Sequence, residues 1–297
     1  MRDDVRWTNL TRHEISRQLG ALGTPASPRV VKQLLRKHGY VKRKARKSQA
    51  MGRHPDRDAQ FQNIARLKQQ YLDAGQPVIS IDTKKKEHLG NFYRDGRLYT
   101  RDEIQVFDHD FPSAADGIVI PHGIYDVRRN QGHLNLGSTH DTSEFACDSV
   151  ALWWEQHGKV EYPQAKSLLI LCDGGGSNSA NRHVFKEELQ KLASRLELEI
   201  RVAHYPPYCS KYNPIEHRLF PHVTRACQGV VFHTIEIVKQ LMERTRTAQG
   251  LQVTVALLEK AYETGRKCAA DFKQTMKLVF DEFLPKWNYR ACPNPSP

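Results

Sequence analysis

The sequence predicts an α/β protein, a mixed sheet flanked by helices and preceded by a small helical segment. Three observations carry this expectation. Two apolar runs, PVIS in residues 77–80 and LLIL in residues 168–171, suit strands buried on both faces of a largely parallel sheet. Each run leads into an aspartate, Asp82 or Asp173, at the carboxyl end where open α/β sheets gather ligands. Strand and helix patterns then alternate through the middle of the chain.

In chain order, residues 11–19 read as a short helix, with Thr11 as N-cap and Glu14 three positions on in a capping-box arrangement. After a Gly-, Pro- and Ser-rich turn, residues 27–38 form a second helix that Gly39 stops. Its stripe is Val30, Val31, Leu34 and Leu35. Two short helices with a basic second member fit a helix-turn-helix segment. Residues 56–74 predict a linker helix with Phe61, Ile64, Leu67 and Tyr71 or Leu72 on one face.

After the strand of residues 77–82, residues 90–117 read as irregular, with a small hairpin at Asp95-Gly96. Residues 118–127 and 133–138 are expected to pair as strands turning at Gln131-Gly132. A helix is expected from Asp141 to about His157, with Asp141 and Glu144 as a capping pair and Gly158 as its stop. The strand of residues 167–172, a helix over 183–196 and a strand over 198–204 follow. Asn213 and Pro214 then open a helix carrying Glu216, which Pro221 bends. C-terminal helices are expected over 235–247 and 272–283. The domains implied are 1–55 (helix-turn-helix and basic arm), 56–76 (linker helix) and 77–297 (catalytic domain). This order of strands and helices is that of a ribonuclease-H-like fold, whose acids meet where the first and fourth core strands lie side by side.

Composition limits the partners. The 297 residues carry a net charge of +12, which favours an anionic partner, nucleic acid first. Between residues 29 and 53 the chain has ten Lys or Arg and no acid. Arg29, Lys32, Arg36 and Lys37 decorate the second helix, and Lys42, Arg43, Lys44, Arg46 and Lys47 form an extended arm suited to phosphates. No apolar run approaches the roughly 20 residues that span a bilayer, and the first ten residues lack a secretory signal's apolar core. The six cysteines include no C-x-x-C pair, pointing to a reducing compartment without disulfides or a zinc site. The expected location is cytoplasmic and nucleoid-associated. GGGSN fits neither a phosphate loop nor a dinucleotide fingerprint, which excludes those nucleotide-binding classes.

Two strand-end aspartates and a helix-borne glutamate can hold two divalent metals through carboxylate oxygens. Glu216 also stands three residues after Asn213, the spacing of a capping pair, so a structural role competes there. Lys84, Lys85, Lys86 and Lys211 lie beside the acids in sequence and suit phosphates. Asp126, Asp141 and Glu144 read as strand-end and helix-start residues, with Glu144 retained as an auxiliary carboxylate.

The blocks IDTKKKE, GNFYRDGR, YDVRRNQG, HDTSEFA, CDGGGSN, HYPPYCSKYNPIEHRLFPH and WNY together resemble the ISAzo family of insertion-sequence transposases, over almost the whole chain. The resemblance implies a DDE enzyme with Asp82, Asp173 and Glu216 as catalytic and metal-binding triad. It implies two Mg²⁺ ions, for which Mn²⁺ substitutes. Double-stranded DNA is the implied partner, as terminal inverted repeats and target, bound by a homo-oligomer. Members of the family carry further helix-turn-helix sequence before the part that RWTNLTRHEI resembles, so a truncated copy is an expectation. The rival reading is an inactive copy that only binds DNA.

Overall fold

Thr11 opens the first helix as its sequence requires: its hydroxyl accepts from the Glu14 N–H at 3.3 Å, and the Glu14 carboxylate accepts from the Thr11 N–H at 2.6 Å. Such a reciprocal cap satisfies two backbone donors that the first turn would otherwise leave without partners. The computed structural model describes residues 6–44, 54–178, 183–269 and 272–294, and the chain divides into two units, Met1–Gln49 and Ala50–Pro297.

In the first unit, α1 (Arg12–Ala21) packs against α2 (Pro28–Lys37). Ser27 caps α2 by accepting from the Val30 N–H, with Pro28 pre-set in the first turn. The Ser16 hydroxyl donates to the Ala26 carbonyl at 2.6 Å, tying the turn to α1. Of the apolar stripe only Val31 is buried within this unit; Val30 and Leu34 are each 41% exposed.

The second unit begins with α3 (Arg57–Asp73), which buries Ile64, Leu67 and Tyr71 against Val78, Leu169, Leu171, Ala203 and Tyr205. Then come β1 (Val78–Thr83), β2 (Glu87–Leu89), β3 (Gly117–Asp126) and β4 (Gln131–Gly137). The next helix, α4 (Ser143–Trp153), runs through a π-helical turn at Trp154–Gly158 into α5 (Lys159–Glu161). Beyond it lie β5 (Ser167–Cys172), α6 (His183–Leu196), β6 (Glu199–His204), α7 (Pro214–Arg218), α8 (Phe220–Ala226) and α9 (Ile235–Glu243). The chain closes with β7 (Gln252–Leu257), α10 (Phe272–Thr275), β8 (Leu278–Phe280) and β9 (Asn288–Ala291).

These strands form one sheet ordered β7-β4-β3-β1-β5-β6-β9-β8, with β2 paired to β3. β1 runs antiparallel to β3 and parallel to β5, and β5 runs parallel to β6. Strand alternation sends Ile79 and Ile81 to one face, where they meet Ile124, Leu168 and Ile170 beneath α4 and α6. Val78 and Ser80 point to the other face, which α3 and α7–α9 cover. Glycine at two sheet positions lets the α7–α8 region lie flat: a Cβ at Gly123 would stand 2.6 Å from the Phe220 ring and 2.7 Å from Ile215, and one at Gly132 would stand 2.4 Å from Leu219.

Several local expectations are corrected. Residues 90–116 form no hairpin among the described residues; Asp95-Gly96 instead docks on Gly229, whose N–H donates to the Asp95 carbonyl at 3.0 Å. The β3–β4 turn occupies residues 127–130, with Asn130 left-handed at φ +54°, and Gln131 and Gly132 are already strand. Thr142, not Asp141, caps α4, accepting from the Phe145 N–H at 3.1 Å, and Glu144 pairs with Lys260 and Arg266 instead. Gly158 does not stop that helix, because the π turn carries it to Glu161 and the missing side chain admits the Trp154 ring. The helix expected over 272–283 is four residues of helix followed by β8. As expected, Pro221 interrupts the Glu216 helix, splitting it into α7 and α8 at Leu219.

Candidate active site

The parallel register of β1 and β5 pairs Val78 with Leu169 and Ser80 with Leu171. Continued two residues, the same register sets Asp82 beside Asp173, just past the end of β5. Asp82 accepts from the Thr83 N–H at 2.8 Å, and Asp173 accepts from the Gly175 N–H at 3.3 Å. Glu216, in the first turn of α7, lies close enough to the Asp82 carboxyl for each to act on the other. The structure therefore brings the three acids together.

Their electrostatics follow. Burial, and then the charge on Asp173, push Asp82 up to about 8. Burial also raises Glu216, with Asp173 adding to it, and raises Asp173, with Asp141 adding to it. No side chain caps α7, and the Asn213 N–H is taken by the Ser210 carbonyl at 2.8 Å. The competing role of Glu216, as acceptor for that N–H, is thus not the one it fills.

Asn213 has a different task. Fully buried, it accepts from the Ser80 hydroxyl at 2.5 Å and donates to the Ile81 carbonyl at 3.1 Å, while the Ile215 N–H donates to the Ser80 hydroxyl at 3.0 Å. These bonds fasten α7 to β1 two residues before Asp82. Behind Asp173, the buried His204 ring sets its Nδ1 3.0 Å from the Asp173 carbonyl and its Nε2 2.8 Å from the Tyr289 hydroxyl. Burial lowers His204 to about 4. A neutral ring then donates from Nδ1 to the carbonyl and accepts from Tyr289 at Nε2. The positioning roles of Ser80, His204 and Tyr289 escaped the sequence reading, and Asn213 was expected to open α7 rather than to bind β1; the one signal was a lone polar residue, Ser80, inside an apolar strand.

Among the described residues no three His, Cys, Asp or Glu already surround a common cation position. The donor set nevertheless fits a hard divalent cation: acid oxygens, crowded and partly desolvated, whose mutual repulsion a cation would relieve. No lysine of the neighbouring tract relieves that crowding by a hydrogen bond or ion pair. Lys84 is committed to Glu87, which Arg94 also pairs. Lys85 and Lys86 are exposed, and Lys211 is exposed beside the Tyr212 ring. In the first unit Arg29, Lys32, Arg36, Lys37, Lys42, Arg43 and Lys44 are all exposed; Arg46 and Lys47 lie outside the described residues. Asp126 is structural, accepting from the Arg128 and Arg129 N–H groups and the Tyr162 hydroxyl.

Strand order and flanking helices define a ribonuclease-H-like domain, with an acidic cluster at the ends of two central parallel strands. Residues 1–293 match the sequence model of the Rhodopirellula transposase DDE domain, and the chain belongs to that family. Among solved structures it is similar to the Mos1 transposase paired-end complex with left transposon end, with TM-score 0.50 and 14% identity over 80% of this chain and 66% of that one. Similar too are the Mos1 mariner paired-end complexes with Mn (TM-score 0.48, 13% identity, 80% of this chain and 72% of that one) and with Mg (0.49, 14%, 80% and 66%). At such identity the likeness is one of fold, and the chain spans 66% of the length of the first of these. No curated protein matches it significantly. No helix among the described residues is long and apolar enough to cross a membrane.

Proposed function

We propose that the chain is the transposase of an insertion sequence, cutting DNA at the element's terminal inverted repeats and joining the freed ends to target DNA. The observation that carries this reading is the meeting of Asp82, Asp173 and Glu216 at one end of the sheet, in a chain of a transposase family. Asp82, Asp173 and Glu216 would together hold two Mg²⁺ or Mn²⁺ ions. When bound, such ions activate the attacking oxygen and neutralise charge on the leaving one.

The chain's own groups hold the geometry. Main-chain pairing of β1 with β5 fixes the two aspartates, and Ser80 with Asn213 fixes the helix bearing Glu216. Lys85, Lys86 and Lys211 are exposed near the acids in sequence and would hold the phosphates flanking the scissile bond; Lys84, tied to Glu87, would support the loop. In the first step water's oxygen bonds to phosphorus as the bond to the 3′-oxygen breaks. In the second the freed 3′-hydroxyl attacks a target phosphodiester and releases a target 3′-hydroxyl. The basic first unit, with the arm that includes Arg46 and Lys47, would bind duplex DNA mainly through phosphates. Joining two ends calls for a homo-oligomer.

Glu216→Gln tests the reading. Glutamine keeps the size and the hydrogen bonding but loses the anionic oxygen, so melting changes little and DNA binding persists, while cleavage of an element-end duplex in Mg²⁺ disappears. A variant that cuts as well as wild type removes Glu216 from the site. Wild-type cleavage undiminished in EDTA overturns the metal reading altogether.

A further inference from the structure

Asp141 was expected to cap α4, and it does not: Thr142 fills that position. Its carboxylate is turned instead toward β1, where the Thr83 hydroxyl donates to it at 3.0 Å, one residue beyond Asp82. Its charge acts on both Asp173 and His122. The residue therefore belongs to the same end of the sheet as the three acids, although it is placed there by a different element.

A second observation concerns His122, on β3 opposite Thr83 in the β1–β3 register. The ring is fully buried, and neither of its nitrogens has a hydrogen-bond partner among the described residues. A neutral imidazole must carry one N–H, and a buried donor left unpaired is costly. The charged group facing it is Asp141. Buried polar groups persist unpaired where a missing ion, water or ligand completes them.

We infer that Asp141 is a fourth carboxylate of the cation-binding cluster, steadied by Thr83, backed by the orphaned donor of His122, and acting on the Asp173 side. The inference rests on the metal reading of the acidic site and adds to it a residue outside the triad. Among the described residues Thr83 is the hydrogen-bond partner of one Asp141 oxygen, and the other is available to a divalent cation directly or through its bound water. Glu144, three residues further along, is held by Lys260 and Arg266 and does not share this task.

The test is Mn²⁺ binding to the full chain without DNA, followed by the electron paramagnetic resonance of free Mn²⁺. Asp141→Asn should weaken binding by about 10-fold or more, the usual effect of losing a ligand's neighbour or support. Glu144→Gln removes the same charge from a paired surface position and should change affinity by less than about twofold. Thr83→Val keeps shape and charge but removes the hydrogen bond, and should weaken binding in the same direction as Asp141→Asn; if the latter does not fold, Thr83→Val decides. Wild-type affinity in Asp141→Asn, or equal weakening by Glu144→Gln, overturns the proposal. Loss of binding in Asp82→Ala alongside wild-type affinity in Asp141→Asn overturns this proposal alone; a wild-type chain that takes up no Mn²⁺ overturns the metal reading and this proposal together.

Discussion

Ser80 and Asn213 are 133 residues apart in sequence and share a buried 2.5 Å hydrogen bond, the lock that seats α7 against β1. Asn213→Ala leaves the Ser80 hydroxyl and the Ile81 carbonyl without their partner. We expect a loss of about 1–3 kcal/mol in urea unfolding, with Glu216 no longer held against Asp82 and cleavage strongly reduced even where the protein is fully folded. A folded Asn213→Ala that cuts normally would show that α7 is positioned by packing alone.

Asp82 is the strained member of the cluster. Its ordinary value is 3.8 and the fold holds it at about 8. An acid raised in this way contributes stability that is complete below about pH 4 and is lost as pH climbs through 8. Without metal, Asp82→Asn should therefore stabilise the protein at pH 8 by something on the order of 2 kcal/mol, less at pH 5. Thermal melts in EDTA across that range check it; a lower melting point at pH 8 would contradict the assignment.

His133 governs part of the acid limb. Buried, with its Nδ1 2.7 Å from the Thr254 hydroxyl and its ring centroid 4.3 Å from that of His157, it is lowered to about 3, by burial first and then by His157. Unfolding lets it take a proton near its ordinary 6.5, so stability present above that value drains away as pH falls toward 3. At pH 5 this one group accounts for about 2 kcal/mol. His133→Gln should flatten the fall in stability between pH 6 and 4; an unchanged slope would exclude the residue.

The basic first unit predicts a salt signature. If six of its cations meet phosphates, log K falls with log salt at a slope of about −5. Removing residues 1–53 should abolish most duplex binding and flatten that slope, leaving the second unit folded on its own core. Unchanged affinity and slope would transfer DNA binding to the second unit.

Gly123 stands opposite Asp82 in the β1–β3 register. Gly123→Ala puts a methyl group 2.6 Å from the Phe220 ring, and overpacking of this kind costs about 1–3 kcal/mol. Calorimetry should show that loss together with weakened cleavage, since Ile215 beside Glu216 must also move. A variant as stable and active as wild type would mean that α7 has slack.

What could be read in advance follows the range of the forces involved. The runs at β1 and β5, the capping box at Thr11 and the turn from Asn213 into Pro214 are local signals, and the structure keeps all of them. Edge strands were less legible. In β7 the residues Val253 and Val255 alternate with exposed neighbours as a half-buried strand should, but nothing local says that β4 lies alongside. β8 and β9 are stabilised by partners, β6 and each other, so LVF passed for part of a helix. Asp141 was misassigned for the opposite reason: a good local explanation, the capping pair, concealed a contact with Thr83 from elsewhere in the chain. Ser80 and Asn213 needed three dimensions to find each other.

The three acids are not held by the same kind of bond. Asp82 and Asp173 follow from a main-chain ladder in the middle of the sheet, whereas Glu216 rides on a five-residue helix fastened by two side chains and broken from α8 at Leu219. Cooperative units in proteins open separately according to how many such bonds hold them. The site accordingly has a fixed jaw and a hinged one. Amides of β1 and β5 should exchange with solvent only when the whole unit unfolds, and those of α7 through a smaller, more frequent opening that withdraws Glu216 and returns the cluster to a pair of aspartates.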